Sequence, residues 1–269
     1  MAKRKKWQDL TITDDYMFKL VMMYPHICKH LIERILHIKI RELVYLENEK
    51  SYKNHYDSKG IRLDVYVEDA DNSRFILEMQ VRDYGEEELG KRARFYQSSI
   101  DYDFLAAGHK YKELGGAAVM FFCPFKLFDG NRRVYTFRNV CTENKEITLK
   151  DGVVKVLLSS AGSPTDDIDP DVAAFLDYMN GKITNNGFIT EIDDTIRSVK
   201  LDGTKEAGYM TFQMLLEEER DEAVEENRRE IIRGMLEHGI SIETISSITK
   251  VPEKDVIAIS DEFSSVHKC

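Results

Sequence analysis

The chain has 269 residues, 42% of them hydrophobic, with 13 Tyr and 13 Phe, enough apolar material for at least one core of ordinary domain size. Its 38 Lys+Arg against 48 Asp+Glu give a formal net charge of -10, which repels a phosphate backbone at long range, so any contact with nucleic acid has to use a locally basic surface. Apolar runs such as Ala117 to Cys123 fall well short of the roughly 20 residues that span a bilayer, Lys3-Arg4-Lys5-Lys6 lacks the apolar stretch of a secretory signal, and Cys28, Cys123, Cys141 and Cys269 are too scattered for a metal motif or a disulfide frame; a cytoplasmic protein without membrane contact is expected.

Phe18, Val21, Met22, Ile27, Leu31, Ile35 and Leu36 recur at close to helical spacing, and Pro25 interrupts them, which predicts two consecutive helices between Leu10 and Leu36. Thr13 or Asp14 is placed to cap the first. Ile61 to Val67 alternates as a strand, which sets Asp64 on the face of Arg62 and Tyr66. After the turn-rich Glu68 to Ser73, Phe75 to Val81 reads as the returning strand, with Glu78 and Gln80 on one face.

Glu86 to Leu105 predicts a helix with Leu89, Ala93, Tyr96, Ile100 and Phe104 as its buried stripe and Gly108 as its stop. Gly116 to Phe122 is nearly all apolar and predicts a strand covered on both faces. Further strands are expected at Arg133 to Phe137 and Val153 to Leu158, and a helix at Val172 to Met179. The order predicts an α/β domain over residues 1–181, a connecting segment over 182–204, and a helical C-terminal extension over 205–269. In that extension the Glu- and Arg-rich stretch from Lys205 to Glu237 predicts one long, exposed helix. Ser241 to Ser247 and Pro252 to Ser260 follow as two short helices.

Two acids on neighbouring strands and one sheet face form an oxygen donor set for a hard cation such as Mg²⁺. Such a cation polarises a phosphodiester and lowers the pKa of bound water. A third group, commonly a lysine two residues after the second acid, orients the water or offsets charge on the phosphate. Gln80 stands there, able to donate hydrogen bonds but without lysine's charge. The spacing by itself favours a solvated sheet face, because acids on exposed strands are common. Context shifts the balance: Asp64 and Glu78 lie between apolar positions, and a helix carrying Lys91, Arg92 and Arg94 follows directly, suited to a phosphate backbone.

The segments Asp57 to Val67, Glu78-Met79-Gln80 and Lys91-Arg92-Ala93-Arg94-Phe95-Tyr96-Gln97 together resemble the Rpn family of recombination-promoting nucleases and transposases, within the PD-(D/E)XK superfamily. The likeness includes Leu10 to Phe18, Val119 to Phe128, Tyr135-Thr136-Phe137 and Phe175 to Tyr178, about two thirds of the chain. It implies a PD-(D/E)XK restriction-endonuclease-like core, a mixed central sheet flanked by helices. It also implies a Mg²⁺- or Mn²⁺-dependent DNA endonuclease associated with recombination or mobile elements. Asp64 and Glu78 would be metal ligands, with the backbone carbonyl of Met79 as a further one. Gln80 matches the family's own ExQ pattern. Two alternatives stay open: a catalytically weak or inactive DNA-binding or assembly protein derived from a transposase relative, and a defence nuclease acting on phage DNA or RNA.

Asp15 matches the acid of the family's first helical motif, and either approaches the metal or opposes the helix dipole. Arg92 and Tyr96 sit one helical turn apart and could both face a phosphate, although an aromatic on a helix stripe more often belongs to the core. Arg62 could pair with a carboxylate as readily as with a phosphate. No histidine spacing suggests zinc, and Cys123 reads as packing. The short C-terminal helices evoke a helix-turn-helix reader. From Gly234 onward, however, six acids (Glu237, Glu243, Glu253, Asp255, Asp261, Glu262) oppose three basic residues (Lys250, Lys254, Lys268). That charge is a poor match to a polyanion. The tail therefore reads as an interaction module, a route to a homodimer, with Ile242, Ile245, Ile248, Val256 and Ile257 as its apolar face. The alternative is that these residues pack on the long helix.

Overall fold

Proline fits the first turn of a helix, where its missing N–H is not needed, and Pro25 accordingly opens a helix instead of breaking one. In the computed structural model, which describes residues 5–48, 51–52, 61–165, 167–182 and 184–266, α1 spans Asp15–Met22 and α2 spans Pro25–Leu36. Asp14 is the N-cap of α1, but its carboxylate makes no cap bond to the helix. It is held instead by Lys5 Nζ at 2.7 Å and by the Thr11 N–H at 2.8 Å.

The strands are β1 (Leu43–Asn48), β2 (Ser51–Tyr52), β3 (Ile61–Arg62), β4 (Val65–Asp69), β5 (Arg74–Met79), β6 (Ala117–Cys123), β7 (Val134–Phe137) and β8 (Val153–Ser159). Six of them form one sheet in the order β1-β4-β5-β6-β8-β7, and β2 pairs with β3 separately. The pairs β5/β6 and β6/β8 are parallel; β1/β4, β4/β5 and β7/β8 are antiparallel. Every residue of β5 and β6 is buried, as strands covered on both faces require.

Helix α3 (Glu86–Ala106) covers one face. Its Leu89, Ala93, Tyr96 and Ile100 pack with Tyr66, Ile76, Val119 and Phe121. Phe122 points the other way, as strand alternation demands, and meets Phe18 of α1 at 5.3 Å and Phe175 at 5.5 Å between ring centroids. Phe175 belongs to α4 (Pro170–Met179). The mixed sheet between helices is the α/β, PD-(D/E)XK-like architecture that the motifs imply.

Two readings of the sequence change. The expected strand from Ile61 to Val67 is two strands, because Leu63 and Asp64 leave the ladder between β3 and β4. Residues 182–204, read as a connector, contain α5 (Gly187–Leu201), whose Phe188, Ile189, Ile192, Ile196 and Val199 are buried. The Trp7 indole donates to the Lys200 carbonyl at 3.1 Å, and Lys200 Nζ donates back to the Gln8 carbonyl at 2.8 Å. The chain divides into compact units Met1–Gly203 and Thr204–Cys269.

In the second unit, the end of α6 (Gly203–Glu237) supplies Ile232 to a cluster with Ile245, Val251, Val256 and Ile259 from α7 (Ile242–Thr249), α8 (Glu253–Val266) and the turn between them. Ile245 and Val256 of the expected interaction face are thus consumed by the unit's own core, and Ile242 packs against it, while Ile248 and Ile257 stay 58% and 44% exposed. No helix among the described residues is long and apolar enough to cross a membrane.

Close approach of the backbone requires glycine at Gly115 and at Gly162. A Cβ on Gly115, just before β6, would lie 2.2 Å from the Asn72 carbonyl oxygen, whereas one on Gly90 of α3 would meet nothing within 4 Å. Gly115→Ala should therefore cost about 1–3 kcal/mol through overpacking, and Gly90→Ala should add about 0.5–1 kcal/mol through helix propensity. Denaturant midpoints of the two variants should shift in opposite directions.

Candidate active site

The break between β3 and β4 is what builds the site. The register sets Val65 opposite Leu77, so Asp64 stands opposite Glu78, and side chains replace the ladder there. The Asp64 N–H donates to Glu78 Oε1 at 2.9 Å, and the Met79 N–H donates to Asp64 Oδ2 at 3.0 Å. Each carboxylate thus satisfies a backbone N–H at the other's strand, and the pair is locked side by side.

Burial pushes the carboxyl of Asp64 above its ordinary range, and neither the Lys19 ammonium nor the Met79 N–H restores it; the Asp15 charge adds to the rise. Glu78 is 4% exposed, and burial followed by the neighbouring Asp64 charge raises its pKa well above the usual carboxylate range. Two acids that resist ionisation together welcome a cation between them.

Lys19 is the residue that sequence reasoning missed. It lies on α1, only 2% exposed, with Nζ 3.2 Å from Asp64 Oδ1 and 3.2 Å from Asp15 Oδ2. A buried ammonium is costly unless paired, and this one ties Asp15 to Asp64. The available signal was its place in Met17-Phe18-Lys19-Leu20-Val21-Met22, a cation inside a wholly buried run, four residues after an acid.

Gln80 continues the line of β5, its N–H donating to the Phe122 carbonyl at 2.9 Å. Its amide is occupied at both ends: the oxygen accepts from Arg92 Nη1 and the nitrogen donates to the Arg82 carbonyl. Arg92 Nη2 donates to the Tyr96 hydroxyl at 2.7 Å and lies 3.8 Å from Glu78 Oε2. Tyr96 is 8% exposed, and burial, with the Glu78 charge adding, pushes its phenol up to about 12. It is both a core residue and the anchor of Arg92.

Asp64, Glu78, Met79 and Gln80 line one open cleft of about 890 Å³ together with Asp15, Lys91, Arg92 and Tyr96. Lys91 is paired with Glu87 at 2.6 Å on the outer surface of α3. Arg94 is exposed and does not line the cleft, because it sits two residues from Arg92 and so on another side of the helix. The side chain of Arg62 lies outside the described residues. A second cavity, bordered by Arg34, His37, Arg132 and Arg138, has two of its arginines tied to acids: Arg132 to Asp167, and Arg34 to Asp169 and Asp171.

Asp64 and Glu78 bring carboxylate oxygens together on the cleft, the kind of donor that suits a hard divalent cation. No group of three His, Cys, Asp or Glu side chains gathers to hold a metal among the described residues. Asp15, another acid on the cleft, reaches Asp64 through Lys19.

The family model of the PD-(D/E)XK nuclease family transposases matches residues 12–154, the stretch that holds α1, the carboxylate strands and α3. No curated protein and no solved structure matches the chain.

Two stability measurements test this electrostatic picture. A carboxyl whose folded pKa lies above its unfolded value contributes stability that is complete below the unfolded value and lost as pH rises through the folded one. In EDTA, Glu78→Gln should therefore melt higher than the wild type at neutral pH, by about 2–4 °C for each kcal/mol of relieved repulsion. The gap should close at pH values below the ordinary carboxylate range; a variant that melts lower at neutral pH would contradict it. Lys19→Met, by contrast, leaves Asp64 without its buried counter-charge and should cost about 3–5 kcal/mol. Adding Asp64→Asn to Lys19→Met should recover most of that loss, read as a non-additive double-mutant cycle.

Proposed function

From the premise that the chain belongs to the PD-(D/E)XK nuclease family transposases, we propose that it is a divalent-metal-dependent DNA endonuclease acting in recombination or on mobile elements. The observation that carries this reading is the Asp64–Glu78 pair, Glu78 buried and Asp64 half-buried, cross-linked through backbone N–H groups on an open cleft. Asp64 and Glu78 would hold Mg²⁺ or Mn²⁺, with the Met79 carbonyl as a further oxygen donor. A cation bound there would polarise the phosphodiester and make an attacking water more acidic.

The protein's own groups do the rest. Lys19 keeps Asp64 and Asp15 in register from beneath the cleft. Arg92, aimed by Gln80 and Tyr96, offsets charge on a non-bridging phosphate oxygen, a task suited to a guanidinium fork. Gln80 thus works chiefly through Arg92, and the amide that replaces the usual lysine leaves the positive charge to its neighbour. Lys91, exposed on the outer face of α3, is placed for a more distant phosphate.

One observation favours a second reading, a non-catalytic DNA-binding or assembly protein: both ends of the Gln80 amide are already engaged. Plasmid nicking separates the two. With Mg²⁺ or Mn²⁺ the wild type should cleave, and Asp64→Ala or Glu78→Ala should lower the rate by about 10²-fold or more, the scale on which removal of a charge-stabilising group acts. Equal nicking by all three proteins would remove the pair from the mechanism. No nicking by the wild type, with no Mg²⁺ binding in calorimetry, would favour the second reading.

A further inference from the structure

Two large aromatic side chains stand exposed at the cleft that holds the carboxylates. Tyr84 is 45% exposed and Phe95 is 43% exposed, and both line it. Single exposed rings are ordinary on a protein surface; what sets this pair apart is that both border the cleft of the carboxylates. They are also set among cations: the Arg82 guanidinium lies 5.7 Å from the Tyr84 ring centroid and that of Arg92 lies 6.0 Å from it. Phe95 falls one helical turn after Lys91 on α3. An aromatic face beside a cation is the arrangement on which an unpaired base stacks while its phosphate is neutralised.

The charge around the cleft argues against a duplex. Asp14, Asp15, Asp64, Glu78 and Glu88 line it against Arg82, Lys91 and Arg92, and the chain as a whole carries -10. A duplex offers its phosphates and groove edges while its base faces are hidden in the stack, so it would need a broad basic surface. A single strand offers base faces as well, and stacking on them is insensitive to net charge. The cleft, about 890 Å³ and open to solvent, falls within the size range of sites for compact ligands.

We propose that this cleft takes single-stranded DNA, or the unpaired strand at a single-strand junction, with bases flanking the scissile phosphate stacked on Tyr84 and Phe95. The inference rests on the nuclease reading of the same site only for where the scissile phosphate lies. Both rings are exposed, so their replacement leaves the core intact.

Fluorescence anisotropy with an end-labelled oligonucleotide, in Ca²⁺ so that binding is read without turnover, tests it on the full chain. The single strand should bind at least about 10-fold more tightly than the matching duplex. Tyr84→Ala and Phe95→Ala should each weaken single-strand binding by about 5–150-fold, the range of one lost base stack, and leave duplex binding unchanged. Tyr84→Phe and Phe95→Trp, which keep a ring, should bind as the wild type does. Equal single-strand binding by the alanine variants, tighter binding of duplex, or tighter binding of the matching RNA strand would each overturn the proposal. Ring-dependent binding in a protein that cleaves nothing in Mg²⁺ or Mn²⁺ would uphold it and overturn the endonuclease reading instead. Cleavage of duplex with no effect of the rings would do the reverse.

Discussion

Two carboxylates set side by side with little solvent between them repel each other, and much of this domain is arranged to hold them there. Asp64 and Glu78 each accept a hydrogen bond from a backbone N–H on the neighbouring strand, so neither can turn away without leaving a buried donor unsatisfied. The gap between β3 and β4 is what frees the Asp64 N–H from the ladder. The parallel pairing of β5 with β6 then fixes Glu78 opposite Phe121, where it is only 4% exposed.

Cations on opposite sides partly answer that repulsion. Lys19 comes from α1, on the helical layer that covers Phe122, and reaches Asp64. Arg92 comes from α3, on the other layer, and reaches Glu78. Each acid thus has its own cation from its own helix, and the sheet carries the acids between them. Burial still dominates for both carboxyls, so the site keeps an appetite for positive charge that two fixed side chains do not satisfy. The divalent cation proposed for the site would answer that deficit, and carboxylate oxygens are the donors it prefers.

Much of this was legible in the sequence because periodicity and family motifs converge on the same residues. Of the stripe Leu89, Ala93, Tyr96, Ile100 and Phe104, the first four are buried as their spacing predicts, while Phe104 is half-buried beneath the Arg74 guanidinium, and β6 is the doubly covered strand that its apolar run announces. Asp64 and Glu78 face each other, as strand parity requires. What was not legible depends on tertiary contact. The alternation through Ile61 to Val67 carries no mark of the break at Leu63 and Asp64, since the alternative partner for the Asp64 N–H is a side chain 14 residues away in sequence. Lys19 looks like one polar residue on an amphipathic helix until the sheet is placed against it. The helix α5 was hidden for a similar reason: Phe188, Ile192 and Ile196 are spaced as a helix, but polar neighbours dilute the signal. Helical spacing already favours Arg92, one turn from Tyr96, over Arg94, and Arg92 is the one that lines the cleft.

The most direct measurement of the account is a crystal soaked in Mn²⁺ and examined for anomalous scattering. The account predicts a peak bonded to carboxylate oxygens of both Asp64 and Glu78, absent from a Glu78→Gln crystal. Manganese bound elsewhere in the chain, with neither carboxylate bonded to it, would contradict it.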